Sequence, residues 1–282
     1  MANVSRAVLI TGCSTGIGHA TALRLKRAGL TVYATARKPE TLGDLRAAGC
    51  EALALDVNDE HSMQAAVRTI EEREGAVGAL INNAGYSQSG ALETLPLERV
   101  RAQFDTNVFG LLRMCQLVLP GMRRQHSGRI VNVGSVAGKL TFPGGGAYHA
   151  AKHAVEALTD ALRFEVQGFG VDVVLIQPGF IRTSFSEAAR REMAAAAPGD
   201  AYAAFNAAVE RATLEVYEKP PWSWFGGDAD DVARVIERAI AARRPKTRYK
   251  VTPSARMLLA TRALTTDRLW DLFMRTNLPA PK

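Results

Sequence analysis

The chain has 282 residues, 47% of them apolar and 22% charged, an ordinary globular composition with enough length for a large core. Its formal charge of +7 sits at one end: residues 243–282 hold ten Lys or Arg against Asp267 and Asp271, a local +8 that leaves about −1 for residues 1–242. That distribution argues against a nucleic-acid binder, and no nucleic-acid partner is expected.

Residues 7–10 form a short apolar run that reads as a buried parallel strand. Gly12, Ser14, Thr15, Gly16, Ile17 and Gly18 follow in a glycine-rich turn, then an amphipathic helix stopped by Gly29. In that context the glycines let the backbone approach a pyrophosphate, while the helix start offers free N–H groups to the anion. The pattern predicts further strands at 31–36, 52–56, 79–81, 129–133 and 171–177. Predicted helices at 40–48, after Asp59 to 73, at 97–125 and from Tyr148 to 168 alternate with them. Asn107 falls in the middle of the 97–125 helix, and Asn83, Ala84 and Gly85 follow the fourth strand. Strict alternation implies a Rossmann-type α/β fold, a doubly wound parallel sheet with right-handed crossovers. Ligands in such sheets lie beyond the carboxyl ends of the strands, so Gly12, Asn83, Ser135, Pro178 and Gly179 should converge on one site.

After Thr183 the pattern changes. Residues 184–225 are rich in alanine and carry Phe185, Met193, Tyr202, Phe205, Tyr217, Trp222, Trp224 and Phe225, as expected of a helical flap over an apolar pocket or of core packing. Asp228 or Asp230 caps a further helix, and 247–251 reads as the last strand. The expected organisation is one dinucleotide-binding domain over 1–252, with its flap at about 184–225, and a basic amphipathic extension over 253–282. Three cysteines without a CxxC pair suggest reduced thiols. The opening apolar run is too short for a signal peptide or a membrane span, so a cytoplasmic protein is expected.

Tyr148 and Lys152 lie four apart on one helix face. A free phenol ionises near pH ~10, and an adjacent ammonium would bring it closer to neutrality, making a proton donor and acceptor. Ser135, just upstream, could hold a substrate oxygen beside it. That equipment suits the interconversion of an alcohol and a ketone next to a hydride carrier.

These residues resemble the short-chain dehydrogenase/reductase family over roughly residues 5–252. The matching motifs are Thr11-Gly12-x-x-x-Gly16-Ile17-Gly18, Asp56-Val57, Asn82-Asn83-Ala84-Gly85, Asn107, Ser135, Tyr148-x-x-x-Lys152, Pro178-Gly179 and Thr183. The resemblance implies a catalytic Tyr148, with Lys152 lowering its pKa and holding the nicotinamide ribose, and Ser135 orienting the substrate carbonyl. It implies that Asn107 holds a relay water, that Asp56 and Val57 lie beside the adenine, and that Asn83, Ala84 and Gly85 lie beside its ribose. Pro178 and Gly179 would border the cofactor, and Ile181 and Thr183 would meet the carboxamide. The second strand ends in Arg37 and Lys38 with no carboxylate, which favours NADP over NAD, although Thr15 stands where many NADP-dependent relatives carry a base. A looser likeness to the 17β-hydroxysteroid and retinol dehydrogenase branch suggests a lipophilic alcohol or carbonyl substrate; a homo-oligomer is also expected. An NAD-dependent alcohol dehydrogenase and a non-enzymatic NADP-binding regulator are the alternatives. His149 and His153 lie four apart, but no third ligand is evident and no metal is expected. Residues 256–275 read as one broken or two short amphipathic helices joined near 265–267. Their apolar face packs on the domain or helps enclose the substrate pocket, or alternatively meets a membrane, with Trp270 and Phe273 dipping into the interface.

Overall fold

The computed structural model describes residues 5–183, 201–220 and 222–278. Seven parallel strands form the central sheet: β1 (Ala7–Ile10), β2 (Thr31–Ala36), β3 (Glu51–Ala54), β4 (Ala79–Asn82), β5 (Gly128–Val133), β6 (Val171–Gln177) and β9 (Arg248–Lys250). Their order is β3-β2-β1-β4-β5-β6-β9, so the direction of winding reverses between β1 and β4. A crevice opens there at the carboxyl ends of the strands. Residues such as Leu9, Ile10, Leu80, Ile81, Ile130 and Leu175 are buried on both faces of this sheet, as a parallel sheet covered by helices requires.

One layer holds α1 (Gly16–Arg27), α2 (Gly43–Ala47) and α8 (Ala229–Ala241), whose Leu25, Leu45, Val232 and Ile236 share a core with β1 and β2. The other holds α3 (Glu60–Glu74), α4 (Leu97–Phe104), α5 (Leu111–Arg124) and α6 (Gly146–Val166), with Met63, Ile70, Met114, Val118 and Val155 at its centre. Asp59 caps α3 by accepting from His61 N, and Asp228 caps α8 in a reciprocal box with Asp231.

The long helix expected at 97–125 is interrupted. Between α4 and α5 the chain widens into a π turn over Asp105–Gly110, which carries Asn107. The residue range expected as a helix at 40–48 is a 3₁₀ turn, Pro39–Leu42, running into α2. A two-residue pairing of β7 (Ile181–Arg182) with β8 (Gly227–Asp228) was not foreseen.

Within the region expected as a flap, α7 (Ala203–Glu218) is helical and residues 222–225 form a 3₁₀ turn. Phe185, Met193 and the rest of 184–200 lie outside the described residues. The tail is two helices, α9 (Pro253–Leu264) and α10 (Asp267–Asn277), capped by Thr252 and Thr266. Their inner face packs on the domain: Ala255, Leu258, Leu259, Trp270 and Met274 join Val136, Leu140, Phe142 and Phe180. Trp270, which the membrane alternative placed at an outer surface, is only 5% exposed, and its Nε1–H donates to the Thr141 carbonyl at 3.1 Å. Leu269 (56%) and Leu272 (60%) occupy the outer face.

Candidate active site

The turn after β1 is built for close approach. Gly12 (φ +73°) and Gly16 (φ +60°) adopt left-handed conformations that favour glycine. A Cβ at Gly12 would come within 2.9 Å of the Ala84 Cα, and one at Gly18 would collide with the Gly12 carbonyl oxygen and the Asn83 amide. Asn83 clasps the turn: its Nδ2 donates to the carbonyls of Thr11 (3.0 Å) and Gly12 (2.9 Å). The Thr11 hydroxyl in turn accepts from the N–H groups of Asn83 and Ala84, both at 3.0 Å. No side chain caps the start of α1, and no acid lies in its first turn, so its amide donors suit an anion.

A cavity of about 1180 Å³ runs along the carboxyl ends of the strands. Ser14, Thr15, Gly16 and Ile17 line it after β1, Arg37 after β2, Asp56 and Val57 after β3, and Asn83 to Gly85 after β4. Ser135 lines it after β5, and Pro178, Gly179, Ile181 and Thr183 line it after β6. Arg37 is exposed and has no ion-pair partner among the described residues. Gly18 lies beneath the turn instead of on the cavity, and Lys38 also lies outside the lining. The Lys38 carbonyl accepts from the Thr41 hydroxyl at 2.7 Å and helps start the 3₁₀ turn.

Tyr148, Lys152 and Asn107 line the same cavity. The Lys152 ammonium lies 5.8 Å from the centre of the Tyr148 ring and donates to the Val133 carbonyl at 2.8 Å. Burial pulls its pKa down to about 8. Burial pushes the Tyr148 phenol well above its ordinary range, and a hydrogen bond with Ser135 pulls it partly back. The sequence suggested that Lys152 would dominate the phenol's ionisation. In the folded chain desolvation dominates instead, because both groups are buried together. Asn107 is buried, accepting from Tyr86 N at 3.2 Å and donating to Tyr86 O at 2.9 Å. Its partner strand end must stay slim: a Cβ at Gly85 would lie 3.1 Å from the Asn107 Oδ1.

Two residues that support this geometry were not given that role from sequence. His149, weighed there as a metal ligand, donates from Nδ1 to the Leu140 carbonyl (2.7 Å) and accepts at Nε2 from Phe142 N (3.3 Å). It therefore pins the loop after Ser135 to α6, and burial lowers its pKa and keeps it neutral. Glu156, one turn beyond Lys152, accepts from Gln177 (2.5 Å) and Arg248 (2.9 Å) and pairs with Lys139 at 3.2 Å. Its one signal in the sequence was a carboxylate one turn past the Tyr148–Lys152 pair, but its burial and its partners Lys139, Gln177 and Arg248 come from distant parts of the chain. Cys13 is a packing residue: burial raises its thiol to about 12, and its Sγ meets the Ile10 carbonyl.

A family model described as short chain dehydrogenase matches residues 6–194. The chain belongs to this family of dehydrogenases and reductases. It is 42% identical to a 3-ketodihydrosphingosine reductase of Bacteroides thetaiotaomicron, over 64% of this chain and 65% of that protein's length. It is 37% identical to estradiol 17-beta-dehydrogenase 1 of Rattus norvegicus, over 90% of this chain and 76% of that one. An NADPH-dependent 3-dehydrocapnine reductase of Ornithobacterium rhinotracheale is 33% identical over 97% of each. Among solved structures, a short-chain dehydrogenase from Streptomyces avermitilis superposes with a TM-score of 0.80, at 33% identity over 96% of both chains.

Proposed function

We propose that the chain is an NADP(H)-dependent oxidoreductase that interconverts a lipophilic secondary alcohol with its carbonyl compound. The observation that carries this reading is the single cavity that joins the glycine turn and Arg37 to Ser135, Tyr148, Lys152 and Asn107. The uncapped start of α1 and the left-handed glycines fit a pyrophosphate, and the unpaired Arg37 fits a 2′-phosphate. A reductase named NADPH-dependent among the relatives supports the same choice. The bound nicotinamide would supply or take up the hydride.

The protein's own residues handle the proton. The Ser135 hydroxyl orients the carbonyl oxygen, and Tyr148 gives that oxygen its proton during reduction or removes it during oxidation. Lys152, with a pKa of about 8, can exchange protons at working pH and hand them to Tyr148 from a relay anchored near Asn107. The substrate end of the cavity is lined by Phe142, Phe180, Leu258, Phe273 and Met274, which suits an apolar body. The names of the steroid and sphingoid relatives point the same way. The exposed Leu97, Phe109 and Phe164 on the α4–α6 layer favour a homo-oligomer. The outer face of α10 favours contact with an anionic membrane, because Leu269 and Leu272 stand beside Arg268 and Arg275. No helix among the described residues is long and apolar enough to cross a membrane.

Absorbance assays at the nicotinamide band test the activity, pairing NADPH and NADH with steroid, retinoid and aliphatic carbonyls. Turnover with NADPH and lipophilic carbonyls is expected. Turnover confined to NADH, or to small hydrophilic substrates, would refute the reading.

A further inference from the structure

The cavity holds a second phenol that the chemistry above does not use. Tyr217 lies near the end of α7, whose Val209, Thr213, Val216 and Tyr217 turn one helical face toward the cavity. The helix is held across the site at two points. The Asn206 side chain accepts from Ala91 N at 3.2 Å, and Val209 sits so close to Gly144 that any Cβ there would clash at 2.6 Å. The Tyr217 ring stands edge-on to Phe180 at 6.1 Å, directly after the Pro178–Gly179 turn. Tyr217 and Tyr148 thus border the same space, close enough for their ionisations to oppose one another.

The hydroxyl of Tyr217 makes no hydrogen bond among the described residues. Other phenols in the protein are satisfied: Tyr33 donates to Glu74 at 2.9 Å, and Tyr202 to Glu93 at 2.5 Å. Burial raises the Tyr217 phenol to about 12, so it stays a neutral donor and acceptor at working pH. Tyr217 is half-buried and its hydroxyl is not among the buried, unpaired side-chain atoms, so it faces the open cavity, where a ligand's polar group can replace water as its partner. Its ring meets Phe180, and the cavity it faces is also lined by the apolar Phe142, Leu258 and Met274.

We propose that Tyr217 is a specificity-determining residue that hydrogen-bonds a second polar group of the substrate, carried close to the reacting carbon. The substrate class follows: a long apolar chain whose ketone has a neighbouring hydroxyl or amino group, reduced to a vicinal diol or amino alcohol. This rests on the oxidoreductase reading, which it narrows from lipophilic ketones in general.

The test compares wild type with Tyr217→Phe on decyl methyl ketone and decyl hydroxymethyl ketone, following NADPH oxidation. Wild type should favour the hydroxymethyl ketone in kcat/KM by about tenfold or more, the effect of one hydrogen bond made or left unmade. Tyr217→Phe should lose that preference while staying within about twofold of wild type on the plain ketone. Equal losses on both ketones, or none on either, would overturn the proposal. A binding arm separates this from failure of the activity itself. In the presence of NADP, the vicinal diol should raise Tm more than the monohydric alcohol of equal length, in wild type but not in Tyr217→Phe. If wild type turned over neither ketone, the activity reading would fall, yet the thermal shifts would still decide the role of Tyr217. Equal shifts by diol and monohydric alcohol in wild type would overturn it.

Discussion

Lys152 gives the most quantitative handle on the site. Its side chain is buried at the end of β5, held by the Val133 carbonyl, and its pKa falls from an ordinary 10.5 to about 8. In the unfolded chain the amine keeps its proton up to its ordinary value. Between pH 8 and 10.5 the unfolded state therefore binds more protons than the folded one, and stability rises with pH. Below that window both states are protonated, and the cost of burying the ammonium is felt in full. At ~1.4 kcal/mol per unit, the shift amounts to roughly 3 kcal/mol. Lys152→Met keeps the buried stem and removes the titration. Urea unfolding of both proteins without nucleotide, from pH 7 to 10.5, should show wild type gaining roughly 3 kcal/mol on the variant across the range. Tyr148 is present in both, so its own titration cancels to first order. Parallel stability curves would refute the reasoning, because they would mean that Lys152 keeps an ordinary proton affinity in the fold. The proton relay would then lose its physical basis.

Arg37→Asp should shift the ratio of kcat/KM for NADPH over NADH toward NADH by at least about tenfold, since a charge-assisted hydrogen bond is lost and a repulsion gained. An unchanged ratio would place Arg37 in solvent with the nucleotide bound. For the tail, the protein should co-sediment with anionic vesicles at low salt and stay in the supernatant with neutral ones. Replacing Leu269 and Leu272 by Asp should abolish that binding without changing turnover of a soluble ketone. If wild type ignores anionic vesicles, α10 serves the fold alone.

Much of this architecture was legible in the chain. β1, β2 and β6 fall where apolar runs meet turn residues, because strands buried on both faces carry no polar alternation to blur their ends. The motif residues lie at strand ends, so their convergence followed from topology alone. The π turn at Asn107 was not legible, since one extra residue in a helical turn hardly alters the apolar period. The β7–β8 pairing has no period at two residues. In the tail, the reading in which the apolar face packs on the domain is the one the inner face follows. Trp270 and Met274 pack under the Ser135 loop, while Leu269 and Leu272 remain outside. Sequence left the side of Trp270 open because choosing the inner face of α10 requires knowing that the Thr141 carbonyl waits there. The electrostatics of Tyr148 and Lys152 were the hardest to foresee. Spacing gives their proximity, but the depth of burial that sets both pKa values comes from elements far away in the chain, α7 and the tail among them.

The central claim, that Tyr148 carries the proton, is met most directly by Tyr148→Phe. The ring stays and only the hydroxyl beside Ser135 is lost. NADPH oxidation with a lipophilic ketone is measured alongside NADPH binding by fluorescence titration. Turnover should fall at least about a hundredfold, the low end of what a positioned acid supplies, while NADPH affinity stays within about twofold. A variant that kept more than about a hundredth of the wild-type rate, with binding intact, would contradict the claim and move the proton donor elsewhere in the cavity.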